Sequence, residues 1–266
     1  MHCIVFNNWD ADMIDDYCKP LLERAKVNTF IETGLFMGET VAAVSRWFAS
    51  QYSQFGRITG YRDYGQVGPN PWNSSILYPT FESVLAVDQL RVSPKVISIE
   101  LNPAYVDVAT TIFADNPNIH IINGSSEEIL KKLVPDLNHP EIRPFFYLDA
   151  HWDEYWPIKD ELELISQLSH YFIVIDDFQV PGQPSWGFDS YKGVPLSTDL
   201  ILPHLGDLSE IQVHFPHRSN RDNRGFVVIT KGYHKENSCL FDGLPFSRAE
   251  LGKKMASFQV ELKEAG

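Results

Sequence analysis

The stretch Phe30-Ile31-Glu32-Thr33-Gly34-Leu35-Phe36-Met37-Gly38-Glu39-Thr40 reads as a short apolar strand, a glycine turn and the start of a helix. Glycine lets a backbone turn sharply and lets a ligand approach it closely. The first turn of a helix has unpaired N–H groups and the positive end of the helix dipole, which suit a carboxylate or a phosphate. A G-x-x-x-G after a strand fits ligand binding and a plain tight turn equally well.

Outward from this turn, apolar runs and helical patterns alternate. Strands are expected at 29–31, 96–99, 119–122, 145–148 and 172–175, with helices at about 39–49, 103–114, 127–133 and 158–168. An opening helix is expected over 10–26. Segments 211–215 and 226–229 read as two closing strands, a hairpin. This order predicts an α/β, Rossmann-like, seven-stranded and mostly parallel sheet in a single domain, 1–266. Residues 51–94 interrupt it after the first helix. They are rich in Gly, Pro, Asn and Tyr, and a loop of that length suggests a lid or substrate-binding insertion. A second irregular stretch, 180–194, follows the fifth strand. Both fall near the carboxyl ends of strands, where open α/β sheets bind ligands.

Composition narrows the partners. Lysine and arginine total 22 against 35 acidic residues, a formal charge of −13. Such a chain repels phosphate backbones and anionic lipid, so neither nucleic acid nor a membrane is expected as partner. Hydrophobic residues make up 44 %, enough for a core without cross-links. Cys3, Cys18 and Cys239 form no metal or disulfide pattern and read as free thiols of a reducing compartment. The start lacks the basic and apolar regions of a signal peptide, and no apolar run approaches the roughly 18 residues of a membrane helix. A soluble, cytoplasmic protein is expected. The oligomeric state is left open, a homo-oligomer included.

Two more elements match the first turn. Glu100 ends the second strand, where an acid can accept hydrogen bonds from both ribose hydroxyls of an adenosine cofactor, or else cap the next helix. Removing 51–94 restores the usual spacing between such an acid and the glycines. Gly124-Ser125-Ser126 turns after the third strand, placed to reach an adenine ring. Ser125 also suits an N-cap with Glu127 or Glu128 behind it.

Taken in order, Glu32-Thr33-Gly34 with Gly38 and Thr40, Ile99-Glu100, Gly124-Ser125-Ser126, Leu148-Asp149-Ala150-His151-Trp152 and Ile175-Asp176-Asp177 resemble a class I S-adenosylmethionine-dependent methyltransferase. The resemblance spans about 29–182 and, more loosely, the final strands. It implies that S-adenosyl-L-methionine is the cofactor. Glu32, Gly34 and Gly38 would frame its methionine part, Thr33 and Thr40 would donate to its carboxylate, and Glu100 would hold the ribose. Gly124, Ser125 and Ser126 would flank the adenine, with Ser125 standing where many relatives carry Asp. Asp149 would also touch the cofactor. A nicotinamide dehydrogenase fits less well, because Gly34 and Gly38 do not complete a G-x-G-x-x-G.

Asp149 and the pair Asp176-Asp177 end adjacent strands. Three carboxylates converging on one crevice are costly unless neutralised, and a hard cation such as Mg²⁺ would do that. In metal-dependent O-methyltransferases similar to catechol O-methyltransferase, acids at these strand ends hold Mg²⁺, which makes Asp149, Asp176 and Asp177 the expected metal ligands. A metal-free reading has Asp149 at the cofactor and Asp176-Asp177 bonding backbone. The catechol enzyme carries a lysine after the tryptophan, where this chain has Asp153. His151 is then the expected general base beside Asp149, since imidazole titrates near neutral pH. The expected acceptor is a hydroxylated small molecule or a sugar, as in natural-product or glycan tailoring. Two alternatives stand: a metal-independent N- or O-methyltransferase, and a non-catalytic nucleoside- or partner-binding module. Trp186, Phe188, Asp189 and Tyr191, and Tyr61, Tyr64 and Trp72 of the insertion, could line an acceptor pocket. The basic segment 216–224 reads as a solvated hairpin loop.

Overall fold

The computed structural model describes residues 17–35, 38–55, 94–151, 155–220, 222–233, 240–251 and 260–264. Nearly all of the insertion, with Tyr61, Tyr64 and Trp72, lies outside them. So do Phe36, Met37, Trp152, Asp153, Cys3, Cys239 and the first part of the expected opening helix. Cys18 is a free, buried thiol.

The central strands are β1 (Thr29–Thr33), β2 (Lys95–Glu100), β3 (Ile119–Asn123), β4 (Pro144–Leu148) and β5 (Tyr171–Ile175). A two-residue pair, β6 (Ser190–Tyr191) and β7 (Val194–Pro195), forms a small ribbon. Then come β8 (Ile211–Pro216), β9 (Val227–Lys231), β10 (Phe246–Leu251) and β11 (Val260–Glu264). The main sheet runs β11-β10-β8-β9-β5-β4-β1-β2-β3. The seven expected strands are present and adjacent, and β8 pairs with β9 antiparallel as the expected hairpin does. The sheet then continues with β10 and β11, which makes nine strands rather than seven.

Strands β1 to β5 are buried along nearly their whole length, as parallel strands covered on both faces must be. Side chains alternate between two cores. Phe30, Val96, Phe145 and Phe172 pack with α1 (Lys19–Arg24), α2 (Glu39–Gln51) and α3 (Pro103–Phe113). Ile31, Ile97, Phe146 and Ile173 pack on the other side with α4 (Ser126–Leu137) and α5 (Ile158–Ile165). Helix α4 runs past the expected 133, through Pro135, because Leu133, Val134 and Leu137 remain buried against the sheet. A short helix α6 (Thr198–Ile201) follows the ribbon. No helix among the described residues is long and apolar enough to cross a membrane.

Register places the site. Thr33 pairs with Ile99 on one side and Leu148 on the other, and Leu148 pairs with Ile175. The next residues, Gly34, Glu100, Asp149 and Asp176, therefore stand in one row at the carboxyl edge. The chain connections diverge at this row, since β1 lies between β2 and β4. That is the crevice in which open α/β sheets bind ligands. Strand β9 runs the other way and pairs Val227 with Ile175, so the residues just before it arrive at the same edge.

Gly225 locks that arrival. The Phe178 N–H donates to the Gly225 carbonyl at 2.8 Å, and a Cβ on Gly225 would lie 2.4 Å from the Phe178 carbonyl oxygen. Gly225→Ala is expected to lower unfolding free energy by roughly 1–3 kcal/mol, as overpacking does. Urea unfolding followed by circular dichroism checks this, and an unchanged midpoint would show that the two segments part without cost.

Candidate active site

The glycine turn at the end of β1 is forced by its neighbours. Gly34 sits at φ +87°, and a Cβ there would lie 2.8 Å from the Asp149 carbonyl oxygen and 2.9 Å from the Ala150 nitrogen. Backbone bonds zip this edge together: the Gly34 N–H donates to Ile99 O at 3.0 Å and the Asp149 N–H to Thr33 O at 3.0 Å. The turn closes at Gly38, the N-cap of α2, which provides no side-chain cap. Gly38 therefore brings no side chain of its own to the first N–H groups of this helix.

The other expected cofactor residues surround this turn. Glu32 is buried on the α1–α3 side and accepts a hydrogen bond from the Ser98 hydroxyl. Thr33, buried on the opposite face, keeps a hydroxyl without a hydrogen-bond partner. Thr40 is buried in the first turn of α2. Glu100 accepts from the Asn102 N–H at 2.7 Å, while Asn102 itself caps α3 through the Ala104 N–H at 3.0 Å. The Gly124 N–H donates to Glu100 O at 3.0 Å, which brings the turn after β3 against the end of β2. Ser125 takes the N-cap position of α4, but its hydroxyl makes no capping bond, and Ser126 is buried behind it.

A cleft of about 770 Å³ opens beside this row, over the ends of β4 and β5. Asp149, His151, Asp176 and Asp177 line it together, as the sequence suggested. His151 is exposed. The far wall comes from two loops that are knitted to each other. The Gly187 N–H donates to Asn223 O at 2.7 Å, the Gly225 N–H to Gly187 O at 3.0 Å, and the Asn223 amide to Ser185 O at 2.8 Å. Ser185, Gly187 and Asp189 face the cleft from the first loop, and Asn220, Asp222, Asn223 and Arg224 from the second. Among the aromatic candidates, Trp186 packs instead against the α4–α5 core, and Tyr191 lies 6.3 Å from the Trp156 ring.

Arg224 changes the reading of the carboxylates. Its Nε donates to Asp177 and its Nη2 to Asp189. Asp177 is held at φ +53°, and the Asp189 N–H donates to its carbonyl at 2.8 Å. Burial raises the Asp177 carboxyl above its ordinary value; Arg224 opposes the rise, Asp189 adds to it and His151 opposes it. Asp176 is buried and otherwise satisfied. The Tyr147 hydroxyl donates to one of its oxygens at 2.6 Å and the Asp177 N–H to the other at 2.8 Å. Among the described residues, no group of three or more His, Cys, Asp or Glu is arranged to hold a metal ion. Asp149, Asp176 and Asp177, expected as the ligands of Mg²⁺, do not fit that role as placed, because protein donors already engage two of them. Of the segment expected as a solvated loop, Asn220, Asp222, Asn223 and Arg224 line the cleft, while His217 and Arg218 are exposed. Asp189, one of the expected pocket residues, lines the cleft, whereas Arg224 was legible only through strand direction: an antiparallel β9 delivers the residue before Gly225 to the site.

Replacing Arg224 with Met leaves Asp177 buried without its cation. With the guanidinium about a third exposed, the expected loss near neutral pH is on the order of 1–2 kcal/mol. The Asp177 pKa then rises further, so the deficit relative to wild type is small in acid, where the carboxyl is protonated, and grows as pH rises. Denaturant midpoints at about pH 4.5 and 7.5 measure this, and a deficit that shrinks toward pH 7.5 would contradict it.

No family model matches the chain, and no curated protein matches it. Solved structures do resemble it. One is the O-methyltransferase from Bacillus cereus in complex with S-adenosylhomocysteine, at TM-score 0.50 and 12 % identity over 87 % of this chain and 84 % of that one. Another is TomG from Streptomyces achromogenes, an O-methyltransferase involved in tomaymycin synthesis, at TM-score 0.47 and 13 % identity over 82 % and 79 %. The strand order β3-β2-β1-β4-β5-β9-β8, with β9 alone reversed, agrees with the first of these likenesses, and the chain has the fold of the class I methyltransferases.

Proposed function

We propose that this protein is an S-adenosyl-L-methionine-dependent O-methyltransferase that works without a resident metal on a hydroxylated small molecule or sugar. The observation that carries the reading is the adjacency of two features. The N-terminus of α2 and a forced glycine turn lie at the row Gly34–Glu100–Asp149. A polar cleft holding the exposed His151 lies next to them. The residues suit the cofactor by their chemistry. The N-terminal turn of α2, whose N-cap Gly38 brings no side chain, suits a carboxylate, and Glu100 suits ribose hydroxyls. When bound, the cofactor supplies a methyl group on a cationic sulfur that leaves as a neutral thioether.

The chain's own residues then align the acceptor and move its proton. Asp149, Asp222 and Asn223 offer oxygens that accept from several hydroxyls at once, which favours a polyhydroxylated acceptor. His151 takes the proton of the reacting hydroxyl. Asp177, within electrostatic reach of His151, stabilises the imidazolium that results, and Arg224 favours the ionised form of Asp177 against the effect of burial. Arg224 thereby supplies the charge neutralisation that a divalent cation would otherwise provide.

Titration calorimetry with S-adenosylhomocysteine tests the cofactor half, and no heat at high micromolar ligand would end the reading. In turnover assays over a panel of hydroxylated acceptors, activity should survive excess chelator. Loss of activity with recovery on adding Mg²⁺ would return the aspartates to the metal role. His151→Ala should bind the thioether normally yet lose roughly 10²–10⁴-fold in kcat, the usual contribution of a general base.

A further inference from the structure

The row of cofactor contacts rests on an acid that the reaction does not use. Glu161, in the first turn of α5, is fully buried, and neither of its oxygens completes a hydrogen bond of ordinary geometry. The Thr33 hydroxyl from β1 and the Ser126 hydroxyl from α4 are its polar neighbours. Both are buried and lack hydrogen-bond partners of their own. Three elements thus bring a carboxyl and two hydroxyls together, next to Gly34 after β1 and Ser125 at the start of α4. Burying such a group without bonds is costly, and an apolar side chain would pack there without that cost.

We propose that Glu161 is a positioning residue of the cofactor crevice: it orients the Thr33 and Ser126 hydroxyls, and its negative charge favours a sulfonium cofactor over the thioether product. The proposal rests on the cofactor reading above. A cation bound over this cluster is attracted to the carboxylate, whereas a neutral sulfur is not. Burial lifts the Glu161 carboxyl to about 7; the Ser126 and Thr33 hydroxyls pull it back, and Glu127 on α4 and Asp160 on its own helix add to the rise. The charge therefore switches across the neutral range. Below it, binding a sulfonium must expel a proton and is weakened. Above it, the anion is already formed.

The experiment measures dissociation constants of S-adenosylmethionine and S-adenosylhomocysteine by calorimetry from about pH 6 to pH 8. In wild type, the preference for the sulfonium over the thioether should grow on the order of fivefold across that range, as one added charge attraction in a partly screened site would give. Glu161→Gln mimics the protonated acid and should show the low preference at every pH. His151→Ala removes the histidine of the adjoining cleft and should keep the trend. Thr33→Val and Ser126→Ala each remove one hydroxyl and should weaken both ligands, which a purely structural Glu161 would not require. A full pH trend in Glu161→Gln, or its loss in His151→Ala, overturns the proposal while the cofactor reading stands. If neither ligand binds wild type at any pH, the cofactor reading itself fails. Should Glu161→Gln fail to fold, Glu161→Met removes the charge instead; loss of the trend then supports the proposal and its persistence overturns it.

Discussion

The site depends on the pairing of one short strand with two parallel partners. Thr29–Thr33 is hydrogen-bonded to β2 on one side and β4 on the other in matched register. A slip by one residue would turn Thr33 from the α4–α5 face to the opposite face and would exchange Glu32 for an apolar neighbour. It would also move Gly34 away from the Asp149–Ala150 backbone, against which no side chain fits. Two apolar cores hold the register, because Phe30 and Ile31 are committed to opposite layers. The chemistry at the edge is thus positioned by packing several residues below it.

The central fold was open to reading because its signals are periodic and local. Apolar strands of about five residues alternate with helices, and glycine or acid marks each strand end. Strands β10 and β11 were passed over. Phe246–Leu251 mixes Arg248 and Glu250 with apolar neighbours, and Val260–Glu264 alternates apolar and charged residues. A sheet edge tolerates such patterns because one face or one side meets water, and this makes them resemble a polar tail. The cofactor turn and the acids at the ends of β2, β4 and β5 were legible for the same local reason. Arg224 was not, because its place depends on the direction of β9, a long-range property. The metal reading was made without sight of this partner. From the sequence, Asp149, Asp176 and Asp177 had no visible counter-charge, and a cation was the simplest way to supply one.

Asp176, Asp177 and Glu161 show three ways of managing a buried carboxyl in one crevice. Asp176 is bonded by a tyrosine hydroxyl and a backbone N–H, which stabilise the anion without any net charge. Asp177 is paired with a guanidinium that a second carboxylate, Asp189, holds in place. Glu161 has neither, so its remaining recourse is to keep a proton. The third arrangement leaves the carboxyl near neutrality, at about 7.

This difference fits where each acid stands. Asp176 and Asp177 face the cleft, where an acceptor must be bound in one charge state to be presented to His151. A carboxyl whose charge varied there would alter the pose of the acceptor along with the proton transfer. Glu161 lies behind the hydroxyls of Thr33 and Ser126, one layer removed from any reacting atom. Its charge can vary without disturbing alignment, and it acts only on a ligand whose own charge changes during turnover. In methyl transfer that ligand is the cofactor, cationic on arrival and neutral on departure. On the proposed reading, a variable charge is tolerable under the cofactor, and Glu161 is the acid that stands there.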